Sequence, residues 1–217
     1  MIQQMIRSIT ARHRLTGMDL GEYRKMKVSG MTFQIYAFHA EGLGHVSAMQ
    51  ASGFLGLMKM DTLIINPDEV DLPLFSYDRI HAMGNDTLIY ELYDTMLGKP
   101  DISQLDRVKD AAASLPDHDP GEHWYDAIKL PQSLSKKGKK ESSEAFDRLA
   151  MDYLKAFLDC AADAPLCEPI PKMEKASVYV EGLLSHGGPS TDVFKKGLGD
   201  ERTAHLFRNI LFGTGRI

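Results

Sequence analysis

The sequence predicts an α/β protein: a three-layer α-β-α sandwich with a central antiparallel sheet. Three observations carry this reading. Residues 31–93 hold five runs rich in strand formers, separated by only a few residues each, and strands joined so closely pair antiparallel, since parallel neighbours need crossovers of a dozen residues or more. The runs 33–38 and 87–93 are apolar at odd and even positions alike, so both faces of the sheet need cover. The second half of the chain supplies that cover as helical patterns.

Taken in order, residues 2–15 have helical spacing, with Met5, Ile6 and Ile9 on one side, and Gly30 then breaks the chain before a strand over residues 31–40. Glu41-Gly42-Leu43-Gly44 makes a turn. Further strands are expected over residues 45–52, 57–65, 72–83 and 88–93, punctuated by Gly53, Asn66-Pro67 and Gly84-Asn85-Asp86. Helices follow over residues 103–113, 143–162, 175–184 and 200–211; the longest places Phe146, Leu149, Tyr153, Leu154 and Phe157 at helical spacing. Residues 130–141 read as a flexible, lysine-rich connection rather than a boundary, so the 217 residues form one domain without internal repeats.

Composition sets the outer bounds. A chain 43% apolar and 25% charged can bury a full core, and its formal charge of −5 argues against nonspecific nucleic-acid binding, which needs a basic face. Cys160 and Cys167 form no C-x-x-C motif and have no histidine spaced to complete a zinc site, which points to a reduced, cytoplasmic setting. Arg7, Arg12 and Arg14 allow a transit-peptide reading of the N-terminus, but an ordinary first helix fits the pattern better. No apolar run approaches the ~18 residues that span a bilayer, so no membrane partner is expected.

The most informative stretch is Asp71-Leu72-Pro73-Leu74-Phe75-Ser76-Tyr77-Asp78, which enters a strand at a proline and then places a carboxyl among apolar residues. Burial that moves a carboxyl pKa from about 4 to about 7 requires roughly 4 kcal/mol of anion destabilisation, and an acid so held can give its proton to a bound molecule. A hydrogen-bonded aspartate at a strand end is the other reading of the same residue. Alternation puts Leu74, Ser76, Asp78 and Ile80 on one face, and Phe75, Tyr77, Arg79 and His81 on the other. If Asp78 faces a pocket, Phe75 and Tyr77 should lie under the opposite helices.

The same run resembles the D-L-P-I-F-G-x-D segment of the ferredoxin-dependent bilin reductases, a superfamily that includes red chlorophyll catabolite reductase. A second segment, Phe194-Lys195-Lys196-Gly197-Leu198-Gly199-Asp200-Glu201 followed by Ile210-Leu211-Phe212-Gly213, is similar to that family's ending. Together they cover about a third of the chain. The resemblance implies the α-β-α sandwich and a linear tetrapyrrole substrate, with Asp78 as proton donor. It also implies single electrons delivered by ferredoxin, with no permanently bound cofactor.

An ungapped alignment puts Asp61, on the preceding strand, where many bilin reductases carry a pocket histidine. Asp61 either shares a proton with Asp78 through like-charge repulsion or caps a turn before Thr62. Met49 or Gln50 stands where one subgroup has a glutamate, and a glycine near Gly188 stands where several members carry a second catalytic aspartate. The reaction therefore cannot be copied from any one subgroup.

Other candidates are weaker. His45 opens the second strand, His39 closes the first, and His186 sits in the Ser185-His186-Gly187-Gly188-Pro189 loop, which the resemblance places over the pigment. Each is either a proton donor or an ordinary hydrogen-bonded histidine. His123-Trp124-Tyr125 reads as an aromatic packing cluster, and Glu91 as part of a buried hydrogen-bond network. Lys129 is a candidate partner for a pigment propionate. Lys136-Lys137-Gly138-Lys139-Lys140 is either a solvated run or a docking site for an acidic electron donor. There is no G-x-G-x-x-G after a strand, no Walker-type loop and no cysteine set for an iron–sulfur cluster, so a reductase built this way draws electrons from outside.

The sequence thus points to reduction of an open-chain tetrapyrrole, with Asp78 and Asp61 as catalytic candidates and His45, Met49, Lys129 and His186 as substrate-binding candidates. The alternative is a noncatalytic tetrapyrrole carrier or chaperone of the same fold.

Overall fold

The computed structural model describes residues 1–216 and, within them, all side chains except those of Pro189 and Arg216. The chain runs α1 (Ile2–Thr10), β1 (Leu15–Gly17), β2 (Lys25–Val28), β3 (Met31–Ala40), β4 (Gly44–Gly53), β5 (Met58–Pro67), β6 (Leu74–Ala82) and β7 (Asn85–Tyr93). It continues through α2 (Ser103–Ala111), β8 (Leu134–Lys139), α3 (Ser143–Asp163), α4 (Pro169–His186), α5 (Pro189–Leu198) and α6 (Asp200–His205), which passes into a π-helical turn, Leu206–Leu211.

The strands form one antiparallel sheet in the order β1-β3-β4-β5-β6-β7-β8, with β2 pairing a second stretch of β3. Tight hairpins keep most neighbours in sequence order, as the short connections require. Helices α1, α2 and α3 cover one face, where Phe75, Tyr77 and Tyr90 pack with Phe146, Tyr153 and Phe157. Tyr90 and Tyr153 are stacked at 4.2 Å, and the Tyr90 hydroxyl donates to the Ala150 carbonyl. Helices α4, α5 and α6 cover the other face, over Phe33, Ile35, Met49, Ile64 and Tyr93. The expected three-layer sandwich is thus the observed one, and Phe75 and Tyr77 lie on the face opposite Asp78.

Several local expectations need correction. The lysine-rich connection is the edge strand β8, paired with β7 from Asn85↔Lys139 to Tyr90↔Leu134. Leu134 and the stem of Lys136 are buried, and the Lys136 ammonium donates to the Leu115 carbonyl and to Asp117. Exposed lysines on an edge strand discourage further pairing, so the charge that reads as loop is compatible with a strand. The Ser185–Pro189 loop is mostly helix: α4 runs to His186, Gly187 leaves it at φ 81°, and α5 starts at Pro189. Proline is favoured at a first helical position, where no backbone N–H is needed. The first helix ends at Thr10, and residues 15–17 join the sheet instead.

Two buried ionic clusters tie the layers together. Arg79 and Asp86, each 2% exposed, form a bidentate pair between β6 and β7, and the Ser143 hydroxyl at the start of α3 donates to Asp86 at 2.6 Å. Lys172 of α4, 1% exposed, donates to the carbonyls of Leu72 and Thr95. Asp71, 3.8 Å from that ammonium, accepts the backbone N–H groups of Leu97 and Gly98. The first aspartate of the D-L-P-L-F run is therefore a clamp that fixes how the chain enters β6.

Candidate functional site

Alternation along five strands paves a cavity of about 390 Å³ between the sheet and the C-terminal helices. Its floor carries Met31 and Phe33 of β3, Met49 of β4, and Met58, Met60, Thr62 and Ile64 of β5. Ser76, Asp78 and Ile80 of β6 and Ile89, Glu91 and Tyr93 of β7 complete it. Tyr179 and Leu183 of α4, Thr191 and Phe194 of α5, and Phe207, Leu211 and Phe212 form the roof. His118, His123 and Tyr125, from the long connection between α2 and β8, close one side. The size and apolar lining with a few convergent polar groups suit a small-molecule site. Four methionines give its walls adaptable contours.

Asp78 is the acid on this floor. Burial pushes its carboxyl pKa up from 3.8 to about 6, against the opposing effect of a hydrogen bond from Thr62 and with a further upward push from the Glu91 charge. Thr62 is its cross-strand partner, and the Thr62 hydroxyl donates to Asp78 Oδ1 at 2.5 Å. Glu91 is cross-strand from Ser76, one step along the same face, and accepts the Tyr93 hydroxyl at 2.5 Å. Tyr93 stacks on Tyr179 at 4.2 Å, so this acid is held by aromatic packing as well.

Asp61 is not in the cavity. The register pairs it with Arg79, and pleat alternation sends its side chain to the opposite face, where Gln50 donates to it at 3.0 Å and the N-terminal ammonium lies 4.0 Å away. A proton shared between Asp61 and Asp78 is thus ruled out by strand geometry; Thr62 occupies the place beside Asp78. Met49 does line the cavity. His45 shares the face of Met49 but is covered by the chain end: its Nε2 donates to the Ile210 carbonyl at 2.9 Å. Ser47 and Asn66 continue this ladder, donating to the Leu211 and Phe212 carbonyls at 2.7 and 2.8 Å. Three side chains therefore hold three successive carbonyls of the segment that roofs the cavity.

Lys129 lies outside the lining, bound to Asp126 at 2.5 Å and 3.9 Å from Glu91. His186 is exposed at the end of α4, its ring 5.4 Å from that of Trp124. The His123-Trp124-Tyr125 cluster is aromatic packing, with His123 stacked on Tyr125 at 4.9 Å, yet His123 and Tyr125 also line the cavity. Trp124 rests on Gly182 of α4, where an added Cβ would fall 2.1 Å from the indole. Within the lysine run, Lys136 is buried and paired, so the run is not one continuous charged patch. Among the described residues no group of three or more His, Cys, Asp or Glu is arranged to hold a metal.

Of the lining, the sequence reading named Asp78 and Met49 as site residues; the titratable Glu91, His118 and His123 and the Asp78 partner Thr62 are among those it missed. The alternating Met58, Met60, Thr62 and Ile64 carried the signal for Thr62.

No family model matches the chain, and no curated protein matches it in sequence. A crystal structure of phytochromobilin synthase from tomato, in complex with biliverdin, superimposes on 99% of this chain and 83% of that one, with a TM-score of 0.79 and 14% identity. The fold is a bilin reductase fold. It is the fold that the Asp71-to-Asp78 resemblance implied. Within a bilin reductase fold, the face of the sheet that carries Asp78 and the helices α4 and α5 enclose the cavity described above. No helix among the described residues is long and apolar enough to cross a membrane.

Proposed function

We propose that the protein binds an open-chain tetrapyrrole in the cavity above β5, β6 and β7 and reduces it, with electrons from an external one-electron carrier such as ferredoxin. Asp78 supplies a proton to the pigment. The observation that carries this reading is the partly buried Asp78 carboxyl, its pKa raised to about 6, beside Glu91 on the floor of an apolar cavity in a fold shared with a biliverdin-bound synthase.

A linear tetrapyrrole is a flat, conjugated molecule with inward-facing pyrrole nitrogens. Tyr93, Tyr125, Tyr179, Phe194 and Phe212 give it apolar and aromatic walls. Reduction of one double bond takes up two electrons and two protons. A neutral Asp78 can donate one proton to the radical formed by the first electron, becoming a carboxylate; the charge of Glu91 favours re-protonation of Asp78 from solvent. Thr62 holds the carboxyl in position by its hydrogen bond.

The test is turnover followed by absorbance. Purified protein with biliverdin, ferredoxin and a reductant should bleach or shift the visible band, and Asp78→Asn should keep binding while losing at least ~100-fold in rate, the usual size of a general-acid contribution. An unchanged rate in Asp78→Asn removes Asp78 from the mechanism.

A carrier without turnover is the second reading. Asp61, Met49 and Gly188 are its support: the resemblance implies a histidine, a glutamate and a second aspartate at or near these places, whereas here Asp61 faces away from the cavity and Met49 and Gly188 have no proton to transfer. Saturable binding with no reduction under any donor would select it.

A further inference from the structure

At one end of the sheet, large apolar side chains stand in solvent. Phe54, Leu55 and Leu57 cap the β4–β5 hairpin at 62, 105 and 72% exposure, and Met83 caps the β6–β7 hairpin at 93%. The register places the tips side by side: Gly53 pairs with Met58, Met58 with Ala82, and Ala82 with Asn85. With strands ~4.8 Å apart, the two hairpin centres are about 10 Å from each other. Soluble surfaces rarely gather such residues without a use for them.

The backbone adds a second observation. Phe54, Leu55 and Met83 have φ of 51, 57 and 50°, in the left-handed region that favours glycine. Each turn therefore carries a bulky apolar residue where glycine would be cheaper, as happens where strain is held for a function.

Charge supplies the third. Lys27, Lys59, Lys137, Lys139 and Lys140 are exposed around these tips, on both sides of the sheet end. In the same tip segments the acids are Asp86, buried against Arg79, and Glu141. Asp117, Glu144 and Asp147 are exposed acids beside β8 and α3, two of them paired with Lys136 and Arg148, so among the described residues the five unpaired lysines still outnumber the free acids at this end of a chain that carries −5 overall.

We propose that this end of the sheet docks on an anionic lipid bilayer, with the Phe54–Leu57 and Met83 tips entering the acyl boundary and the lysines resting on the headgroups. Apolar insertion ringed by cations is how interfacial proteins hold a membrane. Separate, protruding tips fit a fluid bilayer better than the flat face of a folded partner. The contact is peripheral and departs from the expectation that no membrane is involved. Met31, Met58 and Met60 carry the cavity wall toward this same end, so an apolar ligand leaving the bilayer would meet it directly.

Flotation of the full chain with vesicles of phosphatidylcholine alone, or mixed with phosphatidylserine, tests this. The mixed vesicles should bind the protein at low salt and release it as salt rises, and phosphatidylcholine alone should bind weakly. Leu55→Ser with Met83→Ser should weaken binding at least ~10-fold, as should Lys137→Gln with Lys139→Gln, on the usual contribution of interfacial lysines. Leu55→Gly should lower binding while melting no lower than the parent, which separates docking from folding. Absence of binding to mixed vesicles at low salt overturns the proposal, as does binding that survives both pairs of substitutions. A patch whose loss raises only the KM for an acidic protein electron donor also overturns it.

Discussion

Thr62 and Asp78 face each other across β5 and β6, joined by a 2.5 Å hydrogen bond from hydroxyl to carboxyl on the floor of the cavity. That bond opposes the effect of burial, which raises the Asp78 pKa to about 6. Thr62→Val removes it and should raise the Asp78 pKa above its parent value. A titration of the carboxyl by infrared or NMR difference spectra would show the midpoint moving to higher pH; a midpoint moving lower would contradict the assignment.

Asp78 also makes stability depend on pH. Its folded pKa lies above the ordinary 3.8, so the folded state holds the proton more tightly than the unfolded chain, and stability falls as pH rises from about 4 through 6. The loss is at most about 3 kcal/mol by pH 7, less where cavity water screens the charge. Asp78→Asn should therefore raise Tm at pH 7, with the gain shrinking below pH 4. Equal Tm differences at both pH values would contradict this.

Glu91 adds to the raised Asp78 pKa by its charge. Glu91→Gln should move the Asp78 midpoint to lower pH, and in turnover assays the fall in rate should begin at lower pH too. Pigment affinity at low pH should change little. A pH profile that does not move would place Glu91 outside the electrostatics of the site.

The Arg79–Asp86 pair predicts a structural rather than a catalytic loss. Asp86→Asn leaves the buried guanidinium with only the half-exposed Asp147, 3.4 Å away, as its carboxylate, and should cost about 3 kcal/mol, while Arg79→Met with Asp86→Leu should recover most of it. Denaturant unfolding of the three proteins checks the sign.

Gly182 marks a close approach between α4 and Trp124. Gly182→Ala should displace the indole and with it His123 and Tyr125, weakening pigment binding more than stability. Trp124 fluorescence and a biliverdin titration on the same sample would report both.

Much of the scaffold was legible in the sequence because its signals are local. Residues 31–40 alternate and are bounded by Gly30 and a glycine-rich turn, and they form β3 as expected; α3 follows from its apolar spacing. The face shared by Ser76, Asp78 and Ile80 was legible for the same reason. What failed depended on partners distant in the chain. Lys136 reads as a loop residue until the Leu115 carbonyl is there to receive its ammonium. Asp61 lies on the expected strand, but adjacency does not fix register, and one residue decides whether Asp61 or Thr62 stands beside Asp78. The two roles open to His45 are not separable in the sequence because nothing near it there shows that it holds the Ile210 carbonyl, which makes it a hydrogen-bonded histidine.

The account rests on a cavity that accepts a linear tetrapyrrole against Asp78. Titrating biliverdin into the purified protein, and into a Met49→Trp variant that fills the floor, tests this most directly. The account predicts a saturable shift of the visible band at one pigment per chain, lost or strongly weakened in the filled variant. A spectrum identical to free biliverdin at every protein concentration, or a shift indifferent to the filled floor, would contradict it.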